Sequence, residues 1–311
     1  MKILQEFKAG QRRALSQAIT WVENRKLGYE KILEEVFSYT GKAHRIGVTG
    51  PPGSGKSTLI SALTEIYRKE NKLVGILCID PSSSFHGGAL LGDRYRMSDH
   101  TSDPGVFIRS TANRGMLGGI AESTADICDL LDAFGFHTLF IETVGVGQSE
   151  IDIVQIADTI LLNLSPESGD SIQGMKSGIM EIANLIFVNK GDRPEASKLV
   201  YELDSLFTLT QRNLPILKGS ALTKEGLPEL YEQLKTHCHH LLETKQIHEN
   251  QQKRLAQQLR KKVEFYVLTQ LHQPEFSEKI EKLAHSLLEN RQEYSKKLTQ
   301  LFQSIEIHFH P

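Results

Sequence analysis

The chain has 311 residues, with 36 Lys plus Arg against 38 Asp plus Glu and a formal net charge of −2. That length holds one α/β domain of about 200 residues with helical additions, and so even a charge balance sets up no general field for nucleic acid or an anionic membrane. Three scattered cysteines, Cys78, Cys128 and Cys238, lack C-x-x-C spacing, which argues for a reducing compartment without a disulfide framework.

The opening residues Met1–Lys8 lack the apolar core of a signal peptide and the Arg/Ser-rich character of a transit peptide. No apolar run approaches the ~20 residues that span a bilayer. A soluble, cytoplasmic protein with no membrane or nucleic-acid partner is expected.

Residues 11–39 carry helical periodicity. Ala14, Leu15, Ala18, Ile19 and Val22 form one apolar stripe, and Tyr29, Ile32, Leu33, Val36 and Phe37 form another. Gly28 separates the two helices, and Gly41 with Lys42 closes the second. Trp21, the only tryptophan, falls within this extension and is expected to pack.

From 45 to about 222, strands alternate with helices, the pattern of a mostly parallel sheet flanked by helices. Strands are expected at Arg45–Thr49, Val74–Asp80, Val106–Ser110, Thr138–Thr143, Thr159–Leu164, Leu185–Asn189 and Ile216–Gly219. Their near-continuous apolar runs fit burial on both faces. Chemistry in such folds gathers beyond the C-terminal strand ends.

The first strand runs into Gly50-Pro51-Pro52-Gly53-Ser54-Gly55-Lys56-Ser57-Thr58, the pattern G-x-x-x-x-G-K-[ST] of a phosphate-binding loop. Its glycines let successive backbone N–H groups turn toward phosphate oxygens, and the helix N-terminus adds partial positive charge there. Gly53, Ser54, Gly55, Lys56, Ser57 and Thr58 are the candidate phosphate residues. Lys56 would reach the β- and γ-phosphates, and Ser57 would sit on Mg²⁺.

The base is read from Asn189-Lys190-Gly191-Asp192, an N-K-x-D pattern at a strand end. Asp192 can accept from guanine N1–H and its exocyclic amine, a donor pair that adenine does not offer. Such a site rejects the wrong partner by about 10⁴-fold. Lys190 would lie along the base plane and Asn189 would brace the loop. Ser220-Ala221-Leu222, after the last strand, fits the supporting turn. GTP is therefore expected over ATP.

Strand ends also supply carboxylates. Glu142 stands where a Walker-B acid would, with Gly145 completing [DE]-x-x-G. Asp80 ends the second strand, and Asp93 lies in the loop beyond it. With Ser57, these three acids are the candidate metal ligands; Lys56, Asp80, Glu142 and Gln148 are the candidate catalytic residues. Gln148, Arg94 and Lys176 all remain open for acting on the attacking water. Glycine-bearing loops at 81–98, 144–150 and 165–176 follow these strands and are expected to switch with the γ-phosphate.

From about 224 the chain reads as helical. Leu255, Leu259, Val263, Val267 and Leu271 make one stripe; Phe276, Ile280, Leu283, Leu287, Tyr294 and Leu301 follow a near-heptad spacing, with Asn290 and Lys297 as polar breaks. Gln273-Pro274 marks a turn between the two. Such an arm is expected to make a homodimer. His237-Cys238-His239-His240, with His308 and His310, is a rival metal-binding cluster. The expected organisation is an N-terminal helical extension (1–42), a P-loop GTPase domain (43–235) and a C-terminal helical arm (236–311).

Together these residues resemble the MeaB/ArgK family of P-loop GTPases over about residues 8 to 235. The most specific stretches are Asp80-Pro81-Ser82-Ser83, Leu91-Gly92-Asp93-Arg94, Arg114-Gly115-Met116-Leu117-Gly118-Gly119, and the run from Ile141 to Glu150. Gly169-Asp170-Ser171-Ile172-Gln173-Gly174-Met175-Lys176 matches the family's third switch loop. The chain departs from the family at Ser171, where an acid is common, and at Glu167-Ser168, where small residues are usual. The resemblance implies a homodimeric GTPase chaperone of an adenosylcobalamin-dependent acyl-CoA mutase, usually methylmalonyl-CoA mutase, in which GTP gates loading and protection of the cofactor. It also implies that Asp170, Gln173 and Lys176 couple nucleotide state to the mutase. Two rival expectations are a nickel-delivery GTPase and an ATPase or kinase linked to basic amino-acid transport.

Overall fold

A computed structural model describes residues 2–81, 98–113, 122–143, 153–168, 178–289 and 294–303. Its elements in chain order are α1 (Lys2–Lys8), α2 (Arg12–Glu23), α3 (Tyr29–Phe37), β1 (His44–Thr49), α4 (Lys56–Lys69), β2 (Val74–Pro81), β3 (Val106–Asn113), α5 (Glu122–Phe134), β4 (Thr138–Thr143), β5 (Thr159–Leu164), α6 (Ile179–Ile182), β6 (Leu185–Val188), α7 (Glu195–Leu209), β7 (Ile216–Lys218), α8 (Leu227–Glu243), α9 (Gln246–Leu271), α10 (Pro274–Glu289) and α11 (Tyr294–Gln303). Single 3₁₀ turns occupy Ser98–His100, Ile153–Gln155 and Pro166–Ser168.

The seven strands form one sheet in the order β3-β2-β4-β1-β5-β6-β7, and every described pairing is parallel. β1 lies between β4 and β5, so the P-loop leaves the middle of the sheet. β3 runs three residues beyond the expected Ser110, because its ladder with β2 continues to Pro81↔Asn113. β6 stops at Val188 and β7 at Lys218, one residue short of expectation, where the chain turns into hydrogen-bonded loops.

Side-chain alternation divides the core. Ile46, Val48, Phe140, Leu161 and Phe187 face Leu59, Ile60 and Leu63 of α4 and Leu230 and Leu234 of α8. The opposite parity, Leu139, Ile141 and Ile160, packs against α1, α2, α3 and α5. Leu162, Ile186 and Val188 pack against α7. The α2 stripe Ala14, Leu15, Ala18, Ile19 and Val22 is buried as a set. In α3, Ile32 and Val36 are buried, but Phe37 at the end of that stripe is exposed. Trp21 packs partly buried against the same cluster.

Polar groups fasten the lower edge of the sheet, opposite the P-loop. Asp132 of α5 accepts from the backbone N–H groups of Gly41 (2.7 Å), Lys42 (3.1 Å) and Ala43 (3.0 Å), and from Arg45 at 3.5 Å. Arg45 also donates to Asp129 at 2.6 Å. Arg254 of α9 is buried and pairs with Asp158, whose other oxygen accepts from the Arg45 N–H at 3.0 Å. Thr159 Oγ1 lies 2.6 Å from His44 Nε2 and 2.8 Å from His237 Nδ1. A hydroxyl donates once, so one ring accepts its proton and the other donates to its lone pair.

Burial holds both rings neutral. His44 is pushed down to about 4 by desolvation, and His237 is lowered by the same cause. The unfolded chain binds a proton near pH 6.5 that folded His44 refuses, so this contribution is fully present above pH 6.5. It is lost as pH falls toward 4, amounting to about 3 kcal/mol. The urea midpoint should therefore fall between pH 7 and 4.5, with a shallower slope in a His44→Gln variant. Parallel slopes in the two proteins would remove His44 from the acid response.

The chain divides into two compact units, Met1–Arg254 and Leu255–Pro311. In the second, Lys297 of α11 donates to Ser286 Oγ of α10 at 3.0 Å. The expected turn at Gln273-Pro274 separates α9 from α10. No helix among the described residues is long and apolar enough to cross a membrane.

Candidate nucleotide site

The site assembles at the upper edge of the sheet, where β1, β4, β5 and β6 end side by side. β1 gives way to the loop at Gly50, whose φ of 138° suits glycine. A Cβ there would lie 2.0 Å from the Asn163 carbonyl oxygen, so the loop is pressed against the end of β5. Gly55, at φ 86°, caps α4, which starts at Lys56. The Lys56 ammonium donates to the carbonyls of Gly50 (2.8 Å) and Pro51 (3.0 Å), curling the loop around its own lysine. Ser54, Lys56 and Ser57 are buried, whereas Gly53 and Thr58 are exposed.

Ser57 and Glu142 come together. The Ser57 hydroxyl donates to Glu142 Oε1 at 2.7 Å, across 85 residues of sequence. Neighbouring ligands on an octahedral Mg²⁺ with bonds near 2.1 Å stand about 3 Å apart. One hydroxyl and one carboxylate oxygen at this separation therefore fit two adjoining positions on that hard cation. Asp80 lies in β2 in register with Ala112. Asp93, Gln148, Asp170, Gln173 and Lys176 lie outside the described residues, as do Gly145, Arg94, His308 and His310.

The base motif is braced through Asn189. Its Nδ2 donates to the Ser54 carbonyl at 2.9 Å and toward Gly55 O at 3.4 Å. Its Oδ1 accepts from the N–H groups of Lys190 (2.8 Å) and Ala221 (2.9 Å). One buried side chain thus ties the phosphate loop to both base loops. Gly191 N–H donates to Gly219 O at 2.7 Å, fixing those two loops against each other. Lys190 adopts φ 56° and reaches Glu167 at 3.2 Å; Glu167 also pairs with Arg193. Asp192 is exposed, Ser220 and Ala221 are buried, and Leu222 is 80% exposed.

Two contacts here lie outside any motif. Asn163, inside the apolar run of β5, reaches Ser54, and Glu167 reaches Lys190. Glu167-Ser168 does depart from the family pattern, and that departure was the available signal. Asn163 gave none beyond being polar in an apolar strand.

Among the described residues the rival histidine cluster is not assembled. His237 turns inward to Thr159, Cys238 is half-buried, and His239 and His240 are exposed. Among the described residues no group of three or more His, Cys, Asp or Glu could hold a metal ion. All three cysteines are free.

Residues 15–275 match the family described as methylmalonyl Co-A mutase-associated GTPase MeaB. A Pyrococcus horikoshii protein whose name calls it a candidate GTPase is 43% identical over 266 residues, covering 83% of this chain and 84% of its own. The GTPase ArgK of Escherichia coli is 32% identical over 280 residues, covering 86% and 85%. A crystal structure titled LAO/AO transport system kinase superposes with a TM-score of 0.72 at 25% identity, covering 97% of this chain and 96% of that one. The chain belongs to the MeaB family and is a P-loop GTPase.

Proposed function

We propose that this GTPase is a guanine-nucleotide switch whose output is a conformational change in an adenosylcobalamin-dependent acyl-CoA mutase, methylmalonyl-CoA mutase first among the candidates. The switch would gate loading of intact cofactor and protect the mutase. The observation that carries this reading is the Ser57–Glu142 bond. It joins the phosphate loop directly to the end of β4, so a change at the phosphates pulls on the strand from which residues 144–152 depart. The family's association with methylmalonyl-CoA mutase supplies the partner.

In this reading Ser57 and Glu142 would hold Mg²⁺, with Asp80 and Asp93 proposed beside them. When bound, the ion supplies charge neutralisation on the β- and γ-phosphates. Lys56 would exchange its two loop carbonyls for phosphate oxygens. Asn189, Lys190 and Asp192 would receive guanine, with Ser220, Ala221 and Leu222 behind it. Asp170, Gln173 and Lys176 are proposed as the coupling residues and Gln148 as the residue acting on water. A homodimer is proposed through the C-terminal helices, where Leu259, Val263 and Ile280 are exposed. A cytoplasmic location belongs to the same reading.

The test is GTP turnover with and without candidate cobalamin mutases, alongside a binding measurement. A partner that associates and raises turnover by roughly tenfold or more supports the switch. If none associates or alters turnover, the chaperone reading fails.

A further inference from the structure

We infer that Asn163 is a positioning residue for the phosphate loop, acting through Ser54. This rests on guanine nucleotide binding at the P-loop and extends it to a residue that no motif marks. β5 alternates so that Thr159, Leu161 and Asn163 face α4 and α8. Asn163 is the last of these, fully buried, beside the loop. Its Nδ2 donates to the Ser54 carbonyl at 2.9 Å and contacts Ser54 Oγ at 3.1 Å. The same carbonyl receives Asn189 Nδ2 at 2.9 Å from the end of β6. Two strand ends thus hold one peptide group of the loop from two sides.

Fixing the Ser54 carbonyl fixes the peptide plane that carries the Gly55 N–H, and with it the direction of the N–H groups that open α4. These are the groups a phosphate meets. Asn189 is committed elsewhere as well, since its Oδ1 holds Lys190 and Ala221. Asn163 has no such second duty. Its Oδ1 is buried and has no hydrogen-bond partner among the described residues.

That unpartnered oxygen separates function from stability. A buried amide with an unsatisfied acceptor is costly, and an apolar residue of similar size is neutral or stabilising in such a place. Residue 163 sits in a run where leucine would otherwise serve, in a strand with Leu161, Leu162 and Leu164. Local rules broken without gain to the fold are the mark of a functional position. Asn163 therefore serves the loop rather than the sheet.

The experiment compares Asn163→Leu with the native chain. Melting temperature without nucleotide is measured first, then binding of GDP, GTP and ATP by titration, then kcat and KM for GTP. The expected result is a nucleotide-free melting temperature equal to or above the native value. Dissociation constants for GDP and GTP should rise together by about tenfold, the cost of ordering on binding a peptide group that is no longer held beforehand. GTP preference over ATP should persist, and kcat at saturation should stay within about threefold. An Asn189→Ala control should weaken base preference too. Unchanged GDP and GTP affinities in a folded Asn163→Leu protein would overturn the inference, as would an affinity loss that merely follows a lowered melting temperature. If Asn163→Leu does not fold, Asn163→Ala is judged by the same criteria. Failure of the native chain to bind guanine nucleotide would instead overturn the underlying functional reading.

Discussion

Asp192→Asn should raise the GTP dissociation constant by about 10³-fold while leaving the fold intact. A carboxylate can accept from guanine N1–H and from the exocyclic amine together. Each hydrogen bond to a charged group is worth about 1.5–3 kcal/mol. Asparagine keeps one acceptor and turns an NH₂ toward the amine, donor against donor. ATP binding should hardly change, because adenine never used the carboxylate. Xanthosine triphosphate should gain affinity in the variant, since its carbonyl at position 2 accepts from the new amide. The loop should survive the change. Asp192 is exposed, and its neighbours are held by Gly191 N–H to Gly219 O and by Arg193 N–H to Lys190 O at 3.0 Å. Competition titrations with GTP, ATP and XTP provide the measurement. A variant that kept full GTP preference would falsify the base assignment.

How far the molecule could be read beforehand depends on which physical signal each part leaves. β4 and β5 begin and end where the apolar runs do, at Thr138–Thr143 and Thr159–Leu164, because strands buried on both faces write continuous apolar sequence. The P-loop and the Asn189 motif were legible as spacings, and the placement of Glu142 followed from the strand-end rule. α1 was not legible: seven residues with two buried side chains, Leu4 and Phe7, are too few to show a period. Arg254 was hidden for the opposite reason. Pattern reading assigns arginine to the surface, yet here it is buried against Asp158, while Leu255 and Leu259 beside it in sequence are exposed. His237 shows the same limit, since a ring 78 residues from Thr159 in sequence cannot announce that partner. Periodicity reports apolar burial and motifs report local spacing. Long-range polar pairs leave neither trace, and the Ser54–Asn163 contact is one of them.

Asp132→Ala should lower stability by about 3–5 kcal/mol, more than any single surface change in this chain. Asp132 is 2% exposed and satisfies three consecutive backbone N–H groups, those of Gly41, Lys42 and Ala43. Alanine would leave the buried Ala43 N–H without its partner, hand the N–H groups of exposed Gly41 and Lys42 to water, and reduce the carboxylate charge around buried Arg45. Burial opposes the Arg45 charge, and Asp129 foremost among its neighbours offsets that opposition. Asp129 would remain at 2.6 Å, so the loss should stop short of unfolding the protein outright. The first consequence should be local. The segment released joins α3 to β1, so proteolysis between Phe37 and Ala43 should precede global melting. The second consequence should reach the nucleotide. β1 carries the chain from Arg45 to Gly50, the first P-loop residue, within a ladder paired on both sides. Loosening its lower end frees the strand to shift, and any shift is delivered to the loop five residues on. Urea melts, limited proteolysis and GDP titration on the same variant test these three steps in order. A normal proteolysis pattern with a lowered melting temperature would show that Asp132 stabilises α5 alone and does not hold the N-terminal helices to the strand that feeds the site.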